Sequence, residues 1–182
     1  MDINFTTAQN DIDLTQILEL QTNNLRHTKS LEIEKVQGFV TVVHTLDLLR
    51  EMNNEAKHII AKDGEKVVGY ALAMTKLFRN KIPALQSMFN LLDSLEIDGS
   101  LLKDSPYLVM GQICVHEQYR GLGVVKGMYE KYFEIHKPIF HRVITEIAAR
   151  NTRSIGAHLN VGFKEIYRYD EPGVEEWVVV AH

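Results

Sequence analysis

The sequence predicts an α/β protein of the α+β type, with a central mixed, mostly antiparallel sheet flanked by helices. Apolar runs suited to buried strands alternate along the chain with segments whose apolar residues recur at helical spacing. The pair Asp63-Gly64 separates two β-rich runs, which is typical of an antiparallel hairpin because glycine tolerates a positive φ. A length of 182 residues suits one domain with a real core, and we expect a single domain over residues 1–182.

Strands and helices also alternate in the region before the hairpin. In chain order we expect a strand over residues 3–6, a helix over 11–25, a short helix over 31–37, an extended piece over 39–43 and a helix over 46–52. Either Asp11 or Asp13 can cap the first of these helices, and Thr45 can cap the last. The hairpin then joins residues 58–62 to residues 65–75.

A helical segment is predicted between the hairpin and the next strand. Pro83 is suited to open a helix, and Met88, Phe89 and Leu92 fall on one face of it. This helical segment covers residues 81–103, and three roles are open for it: added core, a lid over a substrate, or a contact in a homodimer.

The central segment has the order strand, glycine-bearing turn, helix. Leu108–Val115 is a strongly apolar run, and Arg120, Gly121 and Gly123 follow it before the next helical pattern begins. Such a turn presents unpaired backbone N–H groups to an anion, and glycines allow phosphate oxygens to approach these amides. A P-loop is excluded because no Gly-Lys-Ser/Thr follows at the required spacing. A dinucleotide fingerprint is excluded because Gly121, Gly123 and Gly127 do not have the spacing G-x-G-x-x-G.

Composition and charge exclude several classes of function. The net charge of −4 argues against nucleic acid as a partner, although residues 120–153 hold seven Lys/Arg against three Glu, which suits a polyanionic cofactor. The sequence has no apolar run long enough for a membrane span and no signal-peptide pattern at its start, so we expect no membrane partner. The single cysteine favours a reducing compartment, and we expect a cytoplasmic location and no metal site.

The last part of the sequence predicts a strand, a helix and a second hairpin. Pro138 is expected to end the preceding helix, and His141–Ala148 is the expected strand that follows it. The helix covers residues 152–161, with Asn151 suited to cap its start and Gly162 to end it. Residues 163–169 and 175–180 then form the hairpin.

The turn after the central strand resembles a known cofactor-binding loop. Its residues, Val115-His-Glu-Gln-Tyr-Arg-Gly-Leu-Gly-Val-Val, are similar to the acyl-CoA pyrophosphate loop of the GNAT superfamily of N-acetyltransferases, which is written Q/R-x-x-G-x-G/A. Arg120 and Gly123 match the defined positions of this motif. Val125 departs from it, because the family has a small residue there. The run Val68-Gly-Tyr-Ala also resembles the second strand of the family's early hairpin. The family's minimal core crosses from this hairpin to the central strand in fewer residues, so the resemblance implies that residues 81–103 are a helical insertion between the third and fourth strands of the sheet.

A second segment resembles the next hallmark of the same superfamily, N-x-x-A-x-x-x-Y-x-x-x-G-F. Asn151, Gly162 and Phe163 match it as they stand, and His158 occupies the place of the tyrosine. The two motifs occur in the family's order and are joined by the expected helix and strand.

The resemblance implies a GNAT fold that uses acetyl-CoA as cosubstrate. The acetyl group would move directly, in a ternary complex, to a primary amine of a small molecule or a peptide. The residues expected to bind CoA lie on the central strand, in the loop and at the start of the later helix. They are Ile113, Cys114, Val115, Arg120, Gly121, Leu122, Gly123, Val124, Val125, Asn151 and Ser154. The alternative is a protein of the same fold that binds acyl-CoA without catalysis, as a sensor or scaffold.

Three residues are candidates for proton transfer. Many GNAT relatives carry a carboxylate on the central strand that deprotonates the amine, and this strand carries none. Glu146 on the neighbouring strand and His116 just past the central strand are therefore the candidate bases. By resemblance, His158 is the candidate acid for the leaving thiolate. Cys114 lies in an apolar strand, which favours a small core residue over a nucleophile.

Overall fold

The chain alternates strands and helices, and a computed structural model describes residues 2–25 and 42–182 of it. The strands are β1 (Ile3–Thr7), β2 (Ile59–Asp63), β3 (Lys66–Met74), β4 (Glu96–Ile97), β5 (Ser100–Leu101), β6 (Tyr107–Val115), β7 (Arg142–Ala148), β8 (Lys164–Glu171) and β9 (Glu175–Ala181). The helices are α1 (Asp11–Thr22), α2 (Leu46–Glu55), α3 (Gln86–Ser94), α4 (Val124–His136) and α5 (Thr152–Asn160). Within the described residues, none of these helices is both long and apolar enough to cross a membrane.

Seven strands form one mixed sheet in the order β1-β2-β3-β6-β7-β9-β8, while β4 and β5 pair separately. Every neighbouring pair in the large sheet is antiparallel except β6 and β7, which are parallel. The prediction of a mixed, mostly antiparallel sheet is therefore confirmed. Both predicted hairpins are present, and Gly64 has the positive φ of 57° that the first turn requires.

The parallel pairing between β6 and β7 is short. It covers three residue pairs, from Tyr107↔Arg142 to Val109↔Ile144, after which the two strands diverge. Gly111 is an extra residue on β6, because Met110 pairs with Ala73 while Gln112 pairs with Leu72. Such a bulge bends a strand, and it occurs here where β6 leaves β7. The divergence opens a gap in the middle of the sheet.

Helices cover both faces of the sheet, and each face has its own apolar core. Residues of α1, α2 and α3, such as Ile17, Leu49 and Phe89, pack on one face. Residues of α4, such as Met128 and Tyr132, pack on the other face together with parts of α5. Alternation along each strand explains the division, since successive side chains of β7 enter opposite cores.

Of the first two helices, the start of α2 was predicted correctly and the start of α1 was not. Thr45 caps α2 as expected, accepting a hydrogen bond from the Leu48 N–H at 3.2 Å. The prediction of Asp11 or Asp13 as the cap of α1 is wrong. Asn10 has the extended backbone of a cap, and its side chain accepts from the Asp13 N–H at 3.0 Å. The predicted helix over 31–37 lies outside the described residues, as does most of the extended piece over 39–43, and Val42 and Val43 are not in a strand.

The helical insertion lies between the third and fourth strands of the large sheet, as predicted. It contains α3 and the small β4–β5 hairpin. Met88, Phe89 and Leu92 of α3 are buried, so the insertion adds core on the α1 side of the sheet. Its helix also contacts the end of β8, where the Ser87 hydroxyl donates to Glu171 at 3.2 Å.

Helix α4 packs very closely on the first strand of the sheet. A Cβ placed at Gly127 would lie 2.3 Å from the Phe5 ring, so the aromatic ring rests directly on the helix backbone. Glycine in a helix interior costs roughly 0.5–1 kcal/mol relative to alanine, and the close approach explains why it is accepted here. This contact fixes α4 against the sheet and so helps to position its N-terminus.

Candidate active site

The gap between β6 and β7 opens into two adjoining cavities. The larger, of about 330 Å³, lies between the loop before α4 and the first turns of α5, and we call it the loop cavity. The smaller, of about 80 Å³, lies between the diverging strands, and we call it the strand cavity. Both are lined by Ile113, Asn151, Ser154 and His158, so the two cavities meet at these residues.

The N-terminus of α4 faces the loop cavity. Gly123 is its N-cap with a φ of 77° and Gly121 has a φ of 79°, conformations that glycine adopts without strain. A Cβ added at either glycine would meet nothing within 4 Å, so backbone conformation and not internal packing requires them. The first bond within the helix runs from the Gly127 N–H to the Gly123 carbonyl, which leaves the preceding amides of the first turn without helical partners. The positive end of a 13-residue helix is therefore directed at this cavity.

The charged side chains that line the loop cavity, among the described residues, are all cationic: Arg120, Lys126 and Arg153. Arg120 also braces the loop. Its Nε donates to the Val115 carbonyl at 3.0 Å and its Nη2 donates to the Asn24 side chain at 2.8 Å, while burial lowers its pKa. These cations and the helix N-terminus together suit an elongated polyanion.

The free edge of β6 contributes backbone groups to the gap. The His116 N–H bonds to the Val68 carbonyl on β3 at 2.8 Å. Because backbone groups of successive residues point to opposite sides of a strand, those of Ile113 and Val115 are directed away from β3 and towards the gap, where the Val115 carbonyl already accepts from the Arg120 Nε. An extended ligand can therefore pair with this edge as an added strand.

The first turns of α5 form the opposite wall. Asn151 is buried and caps the helix, with its Oδ1 accepting from the Ser154 N–H at 3.3 Å. Ser154, Ala157, His158 and Val161 lie on the helix face that lines the loop cavity. Their spacing is that of one helical stripe, so this wall is continuous from the cap to the end of the helix.

His158 is fixed in a neutral form. Its Nδ1 donates to the Ser154 carbonyl at 2.7 Å, which places the ring proton on Nδ1 and leaves Nε2 as an acceptor. Burial lowers the pKa of His158 to about 4, although the Ser154 carbonyl opposes this shift. Nε2 is enclosed and has no hydrogen-bond partner among the described residues. The edges of Tyr129 and Phe163 pack around the ring. His158 thus holds no proton at Nε2 to donate at neutral pH.

Glu146 lies in the strand cavity on β7. Burial raises its pKa to about 7; the hydrogen bond from Tyr169 opposes the shift, and the nearby charge of Glu171 adds to it. The Tyr169 hydroxyl donates to Oε1 at 2.6 Å and so fixes the carboxyl group. Glu146 therefore combines access to the cavity with a pKa close to neutral pH, which is suited to accepting and releasing a proton.

Of three other residues expected at the site, one lines the loop cavity and two lie outside both cavities. Cys114 lines the loop cavity but is only 7% exposed and belongs to the core on the α1 side. Leu122 is 55% exposed and does not line either cavity. His116 also lies outside both linings, and its Nδ1 accepts from the Gln118 N–H at 3.4 Å in the turn that follows β6. The remaining expected cofactor residues all line the loop cavity.

Several lining residues were not predicted from the sequence. Helical spacing from Asn151 could have indicated Ala157 and Val161. Others are sequence neighbours of expected residues, such as Gln112 beside Ile113 and Thr145 beside Glu146. Asn24, Val42 and Trp177 come from distant segments, and no local pattern indicates them.

Among solved structures, the chain resembles acetyltransferases over nearly its whole length. It matches the ribosomal-protein-S18-alanine N-acetyltransferase from Escherichia coli with 13% identity and a TM-score of 0.63, covering 99% of this chain and 92% of that chain. It matches a chain of the NatC complex bound to Gag peptide and CoA with 12% identity and a TM-score of 0.66, covering 100% of this chain and 98% of that chain. It matches Arabidopsis thaliana Naa50 in complex with the bisubstrate analogue CoA-Ac-MVNAL with 13% identity and a TM-score of 0.63, covering 100% of this chain and 99% of that chain.

At these identities the structural matches show the fold, which is the GNAT fold expected from the two motifs. No curated protein sequence matches the chain. The model of the Acetyltransferase (GNAT) family, however, matches residues 19–163, which include both motifs and most of the sheet. The chain belongs to the GNAT family of acetyltransferases.

Proposed function

We propose that the protein is an acetyl-CoA-dependent N-acetyltransferase that moves an acetyl group directly to a primary amine. One observation carries the proposal: a cavity suited to a polyanion and a cavity holding a near-neutral carboxyl group meet at the same divergence of β6 and β7. A cofactor-binding protein without catalytic activity needs only the first of these cavities.

The residues of the loop cavity fit CoA. The amides at the start of α4, with Arg120 and Lys126, would hold the pyrophosphate, and the open space at Gly121 and Gly123 admits its oxygens. The free edge of β6 at Ile113 and Val115 would hold the pantetheine arm, with Asn151 opposite. When bound, acetyl-CoA supplies an acetyl group activated as a thioester. A backbone N–H on this edge is suited to polarise its carbonyl group.

Glu146 is the proposed general base. A primary ammonium group has a pKa of about 10.4 and must lose a proton before it can attack. A carboxyl group with a pKa of about 7 is partly ionised at neutral pH and can accept that proton inside the strand cavity. Tyr169 holds the carboxyl group in place. No covalent intermediate is needed, which agrees with the burial of Cys114.

His158 receives a different role from the one expected by resemblance. Its proton is committed to the Ser154 carbonyl and its Nε2 is enclosed, so it does not supply a proton to the leaving thiolate. A thiol with a pKa of about 8.5 is a good leaving group without strong assistance. We therefore assign His158 to packing α5 on α4, where it contacts Tyr129.

The acceptor is proposed to be the primary amine of a peptide or a small molecule. The solved structures of similar fold include an enzyme named for an alanine of a ribosomal protein and complexes that contain peptides. These names support a peptide amine as the first acceptor to test. The cytoplasmic location stays an expectation from the single cysteine.

The test measures binding and turnover separately. Acetyl-CoA binding is measured by calorimetry, and release of free CoA thiol is followed with a panel of amines: tetrapeptides with free N-termini that begin with alanine, serine or methionine, an N-blocked lysine peptide, spermidine and tyramine. We expect binding, and turnover with at least one amine that Glu146→Gln reduces by about 100-fold. Binding without acetylated product over the whole panel would favour the sensor or scaffold. Absence of binding would overturn both functions.

A further inference from the structure

A buried hydrogen-bond network lies beneath the strand cavity. At its centre is the Gln112 side chain on β6, only 7% exposed. Its Oε1 accepts from the Gln21 Nε2 at 2.7 Å and from the Tyr70 hydroxyl at 2.7 Å, and its Nε2 donates to the Val42 carbonyl at 3.0 Å. A single side chain of the central strand is thus bonded to α1, to β3 and to the segment 42–45 that precedes α2.

Gln21 completes the connection from the side of α1. Its Nε2 donates to Gln112 and also to the His44 Nδ1 at 2.9 Å, and its Oε1 accepts from the His44 backbone N–H at 3.0 Å. Burial lowers the pKa of His44 to about 4, so its Nδ1 is free to accept at neutral pH. Each amide is therefore held in one orientation, because exchanging its oxygen and nitrogen would set donor against donor.

The network holds backbone groups of a segment that has no helix or strand of its own. Thr45 is held by the start of α2, whereas the Val42 carbonyl and the His44 N–H are held by these two glutamines. Val42 lines the strand cavity together with Gln112, Glu146 and Trp177. The position of this wall relative to Glu146 thus depends on Gln112.

We infer that Gln112, supported by Gln21, is a positioning residue that fixes the acceptor wall at Val42 relative to the proposed base. The inference rests on the proposed function, because it assigns the strand cavity to the acceptor amine. Gln112 does not touch the reacting atoms in this role. It acts through Val42 and should affect the amine without affecting the cofactor, since none of its bonded partners lines the loop cavity.

Packing alone does not explain these residues. A buried amide loses its hydration and regains free energy only through its hydrogen bonds, so an apolar side chain of the same size serves a purely structural site as well. The described network uses both lone pairs of the Gln112 oxygen and both N–H groups of Gln21. What an apolar side chain cannot do is hold a backbone carbonyl of an irregular segment.

Two substitutions test the inference from opposite sides, Gln112→Met on β6 and Gln21→Met on α1. Both keep the side-chain volume, and the second remains informative if the first does not fold. The control is Tyr70→Phe, which removes a bond to Gln112 from the side of β3 and leaves Val42 and His44 held. Amide hydrogen exchange at His44 measures how firmly Gln21 holds the segment 42–45. Steady-state kinetics with the best amine of the panel measure the effect on the acceptor, and the alanine-initiated tetrapeptide is tried first.

We expect both methionine variants to raise the KM for the amine about tenfold, with the kcat and the KM for acetyl-CoA within about twofold of wild type. His44 exchange should accelerate at least about tenfold in Gln21→Met, which removes the acceptor of the His44 N–H, while Gln112→Met and Tyr70→Phe change it less. An unchanged amine KM in folded, active variants would overturn the inference, as would unchanged exchange at His44 in Gln21→Met. Failure of the proposed function is a different result, because it appears as absence of turnover in the wild-type protein.

Discussion

The loop cavity and the strand cavity adjoin each other but are built in different ways. The loop cavity presents backbone amides, two glycines with positive φ and three cations, and most of its lining comes from two continuous segments. The strand cavity presents side chains, among them Glu146 and Gln112, which arrive from four separate parts of the chain. The loop cavity is therefore defined mainly by backbone and positive charge, and the strand cavity mainly by side chains that the fold brings together.

The difference indicates where each kind of substitution should act. Backbone amides cannot be removed by changing a side chain, so the loop cavity is sensitive to groups that are added to it. The strand cavity depends on hydrogen bonds between side chains, so it is sensitive to groups that are removed.

Gly123→Glu should abolish cofactor binding. The new carboxylate would stand at the N-terminus of α4, where the helix amides face the loop cavity, and would repel a phosphate. We expect affinity for CoA to fall by at least about 100-fold with the fold retained, as measured by calorimetry and circular dichroism.

Gly99→Glu is the matched control for this prediction. Gly99 also has a φ of 79° with open space around its Cβ position, but it lies in the β4–β5 turn of the insertion. Both variants carry the same backbone strain of roughly 1–2 kcal/mol, and only the one in the loop cavity should lose CoA. Equal affinity in the two variants would refute the assignment of the loop.

Glu146→Gln should reduce kcat/KM for the amine by about 100-fold at pH 7 while CoA affinity stays unchanged. In the wild-type protein the ionised carboxylate is the active form, so kcat/KM should fall about tenfold per pH unit below about 7. The stability effect has the opposite sign. A carboxyl group whose pKa is higher in the folded than in the unfolded state destabilises the fold as pH rises from about 4.5 to 7, so Glu146→Gln should be more stable above pH 7.

Tyr169→Phe removes the hydrogen bond to Glu146 and leaves the carboxyl group in place. The Tyr169 hydroxyl lowers the pKa of Glu146, so its removal should move the acid limb of the pH–rate profile to higher pH by up to about one unit. The rate of Tyr169→Phe at pH 8.5 should be close to that of the wild-type protein.

A Glu146→Gln variant that keeps the wild-type pH profile would exclude Glu146 as the base.

His158→Phe should have the smallest effect, with kcat within about threefold of wild type. His158 is already neutral at pH 7 and its Nε2 is enclosed, so phenylalanine preserves the ring packing against Tyr129 and removes only the bond to Ser154. A loss greater than tenfold that His158→Tyr restores would return the acid role to this position, as the resemblance implied.

The fold and the loop cavity were largely predictable because their signals are local. Asp63-Gly64, the apolar run of β6 and the glycines before α4 each determine the backbone within a few residues. Arg120 and Gly123 could be placed for the same reason. Asn10 was missed as a cap because it stands beside two aspartates with equal capping capacity.

The strand cavity could be predicted only in part. Glu146 was a candidate through its strand, but its raised pKa depends on burial and on Tyr169 and Glu171, which follow it by more than twenty residues. Gln112, Gln21 and Val42 are separated by up to 91 positions and have no pattern in common. His158 shows the converse, since its place in a motif gave no information on its tautomer, which the Ser154 carbonyl determines.

The short parallel pairing of β6 with β7 has a consequence for stability. Three residue pairs join a four-stranded half of the sheet, which ends at β6, to a three-stranded half, which begins at β7. Few backbone bonds therefore join the two halves, which are held together mainly by the side chains of the two apolar cores, each containing residues from both halves. A molecule that lies between the β6 edge and Asn151 contacts both halves at once. Its binding should therefore add to the contacts that join the halves and should raise the melting temperature by mass action.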